Sequence, residues 1–103
     1  MHILVLVTAK DRKEAEKIAK ALLRNKLAAC VNIVGGLRSI FRWQGKLEEA
    51  KEALLLIKSR KDKFAKIVKL VKAEHSYEVP EIIAIPIAKG FKPYLDWINE
   101  SIR

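Results

Sequence analysis

The chain has a single cysteine, Cys30, among its 103 residues, so no disulfide can form within it. That argues against a small secreted domain stapled by disulfides and points to a reducing, cytoplasmic setting. Glycine and proline are scarce, at four and three residues, which excludes collagen-like and linker-rich chains. No apolar run approaches the roughly 18–20 residues that a membrane helix needs, so no membrane partner is expected. The opening Ile3-Leu4-Val5-Leu6-Val7 is apolar, but no basic segment precedes it and no small-residue cleavage site follows. It reads as a buried strand and not as a signal peptide.

Chemical motifs are just as sparse. There is no G-x-x-x-x-G-K-[ST] loop, and Gly35-Gly36 lies between two strand-like runs, not before a helix. No nucleophile elbow surrounds Ser39, Ser59, Ser76 or Ser101. The two histidines and one cysteine have no zinc-ligand spacing. No organic cofactor is recognised. These absences favour a binding protein over an enzyme. One chain cannot build a convincing soft-metal site, but a symmetric oligomer can repeat one or two ligands around its axis.

What is present suits one globular domain over residues 1–103. Half the residues are hydrophobic and 32% are charged. The net charge of +9 admits a nucleic-acid or other polyanion partner. It equally fits the solvated Lys/Glu-rich surface of a heat-adapted protein. The lysines are spread along two helix-like segments and not gathered in one run, which favours the second reading.

Ile3 to Val7 is aliphatic and suits a buried strand. Asp11 with Glu14 three residues on forms a capping-box-like helix start, and Ala15, Ile18, Ala19, Leu22 and Leu23 then recur at helical spacing. The helix should end near Asn25-Lys26, with Asn25 suited to a left-handed cap. Leu27 to Val34 is a second strand, closed by Gly35-Gly36. Beyond it Leu37, Ser39, Phe41 and Trp43 alternate with polar residues, as in a strand with unlike faces. Gln44-Gly45 reads as a tight turn, and Leu47 to Ser59 should run back antiparallel. Ser59-Arg60-Lys61-Asp62 has the form of a second helix start, ahead of the stripe Phe64, Ile67, Val68 and Val71. Ile82 to Ala88 is a last strand, where Pro86 argues for an edge. A short amphipathic helix with Tyr94, Leu95, Trp97 and Ile98 closes the chain.

The order β-α-β-β-α-β plus a C-terminal helix is the α+β, ferredoxin-like split β-α-β pattern. It predicts a four-stranded antiparallel sheet with a long hairpin between the second and third strands. Two helices cover one face, leaving only the last helix for the other. Phe41, Trp43 and Leu54 to Ile57 then expose more apolar surface than a monomer tolerates. An oligomer is expected, with the hairpin as its arm.

Each candidate residue has two readings. Cys30 is either a small buried hydrophobe or a thiolate ligand for copper or another soft ion. His75 is either a cationic cap at a helix C-terminus or an imidazole ligand, with Tyr77 and Glu81 near it in sequence. Trp43, Tyr94 and Trp97 either pack in a core or interface, as Phe41 would, or stack on a base. Binding of RNA on the sheet would need an aromatic-rich run on the third strand, which is missing, so nucleic acid is not favoured.

Four stretches carry a resemblance together: Leu27-Ala28-Ala29-Cys30-Val31-Asn32, Ser39-Ile40-Phe41-Arg42-Trp43-Gln44-Gly45-Lys46, His75-Ser76-Tyr77-Glu78-Val79-Pro80-Glu81-Ile82, and Tyr94-Leu95-x-Trp97-Ile98. In this order, across nearly the whole chain, they resemble the CutA divalent-cation tolerance family. The resemblance implies a homotrimer of ferredoxin-like protomers, a cytoplasmic location and a link to tolerance of copper and other divalent metals. It implies no enzymatic activity. Because the family's trimers look like signalling proteins of the PII type, it also admits a small-molecule sensor. On the residues quoted, it implies metal ligation by His75 and Cys30, and interface roles for Phe41, Trp43, Tyr94 and Trp97. The chain departs from the family pattern at Val7, where some members have a second Cys. It departs again at Glu74, where some have a His beside His75. Ser76, Phe41 and Ala50 stand where Pro, Tyr and an acidic residue are common.

Overall fold

A computed structural model describes residues Met1–Arg103. The elements run β1 (His2–Ala9), α1 (Arg12–Arg24), β2 (Cys30–Trp43), β3 (Lys46–Arg60), a 3-10 turn at Lys61–Lys63, α2 (Phe64–Glu74), β4 (Ile82–Pro86) and α3 (Lys92–Ser101). The strands form one antiparallel sheet in the order β2-β3-β1-β4. This is the expected ferredoxin-like α+β arrangement, with β4 on an edge where Pro86 is tolerated.

Alternation decides which side of each strand is buried. Ile3, Val5 and Val7 on β1 and Leu55 and Ile57 on β3 face α1 and α2. There they meet Ile18 and Leu22 of α1 and Ile67 and Val71 of α2 in one core. Each such side chain contributes roughly 1.5–3 kcal/mol when fully buried. Of the expected exposed run Leu54 to Ile57, only Leu54 and Leu56 lie on the other face, because the period of two sends Leu55 and Ile57 into the core.

Local chemistry sets the helix ends. Asp11 caps α1 as expected, its carboxylate accepting from the Glu14 N–H at 2.8 Å. Asn25 is the C-cap, but the left-handed residue is Lys26, at φ 55°. The expected cap at Ser59 is not formed. Ser59 is fully buried in β3, and its hydroxyl donates to the Leu27 carbonyl at 2.6 Å. The chain instead enters α2 through the 3-10 turn, with no side-chain cap.

Gly35-Gly36 does not close a strand. β2 runs straight through it, and the register passes from Val34↔Leu54 to Leu37↔Glu52, two residues on β2 against one on β3. This is a β-bulge, and Gly36 supplies its positive φ of 71°. At Gly35 a side chain would have to push the flexible Arg12 guanidinium aside. The extra residue reverses the parity of β2, so Phe41 and Trp43 share the side of Val34 and Leu54, away from α1 and α2. The hairpin then closes at Gln44-Gly45, both at positive φ (49° and 78°), between the paired Trp43 and Lys46. Two successive left-handed residues are what a two-residue type I′ loop requires.

β1 pairs with β3 only from Ala53 to Arg60. Beyond that, Leu37–Trp43 and Lys46–Glu52 pair only with each other, as a two-stranded ribbon standing clear of the sheet. The chain is accordingly elongated, 44 × 26 × 23 Å.

Candidate functional site

The ribbon, the end of β1 and the loop after α2 enclose a groove of about 880 Å³. Phe41 and Trp43 line it from β2, Glu48, Glu49 and Glu52 from β3, and Tyr77, Glu78 and Glu81 from the loop. Five glutamates thus line a groove in a basic chain, beside an apolar wall. Arg38 answers one of them through its ion pair with Glu49.

The loop wall is held by a buried hydrogen-bond network. The His75 side chain is completely buried, between Glu14 of α1 and the backbone of β1. Its Nε2 lies 2.7 Å from the Thr8 carbonyl oxygen, and its Nδ1 accepts the Tyr77 N–H at 3.0 Å. A carbonyl only accepts and a backbone N–H only donates, so the ring is neutral with its proton on Nε2. The Glu14 carboxylate accepts the N–H of Lys10 at 3.1 Å and of Ser76 at 3.0 Å. Burial pushes the Glu14 carboxyl up, but the hydrogen bonds from Ser76 and Lys10 outweigh it, and the group titrates below the ordinary glutamate value. Tyr77 then donates its hydroxyl to Glu52 at 2.7 Å. Burial, then this bond and the surrounding carboxylates, push the Tyr77 phenol up to about 12.

His75 therefore sits at the end of α2, where the sequence placed it, but it does not act as a cationic cap. Metal ligation through either nitrogen requires one of these two bonds to be given up.

Cys30 is elsewhere. It pairs with Lys58 on the sheet side facing away from α1 and α2, with Lys58 Nζ 3.9 Å from its sulfur. The Tyr94 phenol of α3 faces it and is raised by burial and by the thiol. Thr8 lies opposite Leu54, four residues along β3 from Lys58 and so about 13 Å away at strand spacing. His75 and Cys30 thus lie on opposite sides of the sheet and do not combine within one chain. No three His, Cys, Asp or Glu side chains of the chain are grouped to hold a metal ion.

The four expected interface aromatics are all exposed, between 40% and 55% of their surface. Tyr94 and Trp97 form one pair, ring centroids 5.3 Å apart. Phe41 and Trp43 stand on the ribbon. Sequence reasoning missed the groove and the Tyr77–Glu52 bond. Ala50 was noted as a missing acid, yet Glu48, Glu49 and Glu52 around it already supply the acidic wall.

The family model for the CutA1 divalent ion tolerance protein matches residues 3–101. The chain belongs to the CutA1 family. Its relatives include the divalent-cation tolerance protein CutA of Thermus thermophilus, 52% identical over 101 residues and covering 98% of both chains. The CutA protein of Archaeoglobus fulgidus is 51% identical over the full length of both. The solved Archaeoglobus structure, described as a periplasmic divalent cation tolerance protein CutA, superposes with a TM-score of 0.97 at 50% identity, covering both chains completely. The Thermus CutA1 structure gives 0.98 at 51%, again with complete coverage. The chain therefore shares the fold of these CutA structures over its described length.

Proposed function

We propose that this chain acts as a homotrimer in tolerance of divalent metals, copper in the first place, and that it does so by binding and not by catalysis. The ribbon carries the proposal. A two-stranded ribbon is marginally stable in water, and this one exposes Ile40, Phe41, Trp43 and Leu47. On the same side of the sheet as Phe41 and Trp43, Ile83 and Ile85 of β4 are about half exposed, and α3 covers only part of that face. A neighbouring protomer laid across ribbon and sheet buries both. Three copies are what the family resemblance implies, and a closed ring uses every such surface once.

Metal capture then belongs to the assembly. Of the two expected ligands, Cys30 has its donor atom unblocked by a strong hydrogen bond, and a thiolate suits a soft ion. Repeating Cys30 around an axis supplies the ligand number that one chain lacks. The cytoplasm is the proposed compartment, in keeping with a single unpaired thiol. Native mass spectrometry of tag-free protein with one equivalent of copper per chain tests the metal reading. Trimers that take up copper in discrete steps support it, and trimers that stay metal-free remove it.

A second reading, a PII-like small-molecule sensor, draws on the groove, whose volume lies within the roughly 300–1,000 Å³ of ligand pockets. A thermal-shift screen of nucleotides and organic acids with no hit would count against it.

A further inference from the structure

In the sequence the lysines are dispersed over two separate segments, but the fold brings those segments together. α1 and α2 lie side by side on one face of the sheet, joined by the Lys17–Glu74 ion pair at 3.2 Å. Residues 10–26 and 61–75 hold twelve Lys and Arg against five Asp and Glu, so seven of the nine net positive charges sit on this layer. One of the five acids, Glu14, is buried and spent on the loop network. Of the twelve cations only Lys17 forms an ion pair. The other ion pairs have their cations on the ribbon, at the end of β3 and on α3.

This is not how a heat-adapted surface is built. Such surfaces intersperse both signs in ion-pair networks. Here like charges such as Lys66, Lys69 and Lys72 recur at helical spacing without carboxylates between them. Unrelieved like charge at three- and four-residue spacing is destabilising, so a partner that neutralises it gains affinity.

We propose that the outer face of α1 and α2, centred on Lys13, Lys17, Lys20, Lys66, Lys69 and Lys72, is a docking surface for the phosphate backbone of double-stranded nucleic acid. All six are exposed. Charge complementarity selects a polyanion, and the rest of the face selects which one. It presents no exposed aromatic on which an unpaired base could stack, so single strands gain only charge. The apolar faces of both helices are buried in the core, and Leu23 is the one large exposed apolar residue of the two, so nothing inserts into a lipid surface. Lysines are point charges that contact phosphates without reading base edges, so binding is independent of sequence. The layer lies opposite the face that the proposed assembly covers, so it stays open in a trimer.

The test is fluorescence anisotropy with a random-sequence DNA duplex of about 30 base pairs across a salt series. If one protomer engages about five phosphates, affinity falls roughly 500-fold between about 50 and 200 mM salt. The triple variant Lys66→Glu, Lys69→Glu, Lys72→Glu should weaken binding at least about tenfold at the lower salt and flatten the salt slope by two to three units. A control with Lys89→Glu, Lys92→Glu and Arg103→Glu removes the same charge from exposed sites outside the layer and the ribbon and should change binding little. Circular dichroism and native mass establish that both variants keep the fold and assembly of the parent. No duplex binding at low salt overturns the proposal, as does equal weakening by both triples. Binding to anionic vesicles without binding to duplex also overturns it.

Discussion

The Tyr77 hydroxyl donates to the Glu52 carboxylate at 2.7 Å, tying the loop after α2 to the point where the ribbon leaves the sheet. One bond thus joins a wall of the groove to the base of the arm. Tyr77→Phe should cost about 0.5–1.5 kcal/mol and leave Glu52 without its donor. It also changes the alkaline limb of stability. The folded phenol titrates near 12 against an ordinary value of 10.0, so the parent loses stability as pH rises from 10 towards 12. Thermal melts across that range should fall less steeply for Tyr77→Phe, and equal slopes would place the bond outside the folded protein in solution.

Glu14 has the opposite sign. Its folded value lies below the ordinary 4.5, so its stabilisation is present above that pH and is lost as pH falls through the lower folded value. Glu14→Gln should lower stability by about 1–3 kcal/mol at neutral pH, because the neutral amide accepts more weakly from Lys10 and Ser76. The gap between parent and variant should narrow in melts taken below pH 4.5. A gap that stays constant with pH would deny the carboxylate its role.

Ser59→Ala removes the buried bond to the Leu27 carbonyl. Urea unfolding should show a loss of about 1–2 kcal/mol, well above a surface substitution. A neutral result would return Ser59 to the helix-start role that its sequence context suggested.

That misreading shows where local signals stop. The Asp11 cap was legible because its partner, Glu14, is three residues away and both lie on one turn. The Ser59 motif matches the same pattern, but the serine faces the core of β3, and tertiary burial overrode the local preference. Gly35-Gly36 reads as punctuation, yet a bulge needs the opposite strand to declare itself. The turn at Gln44-Gly45 was legible because positive φ is a local demand. The exposure of Phe41, Trp43, Tyr94 and Trp97 was legible in the surplus of apolar surface. The neutral state of His75 was not, since it depends on Thr8, 67 residues away.

Copper uptake separates the two expected ligands. Cys30→Ala should abolish binding by the assembly while leaving the fold intact. His75→Ala should retain copper but melt at lower temperature, because it breaks the bonds to Thr8 and Tyr77. Isothermal titration of both variants decides the matter, and loss of copper in His75→Ala alone would reverse the assignment.

The central claim is that the ribbon is completed by a neighbour. Light scattering coupled to size exclusion measures it directly, on the parent chain of 11.7 kDa and on Trp43→Asp. The expected result is a parent mass of about 35 kDa, three chains in a closed ring, with Trp43→Asp shifted towards the single-chain mass. A parent that elutes as one chain would contradict the account, because the exposed ribbon and sheet face would then be stable without a partner.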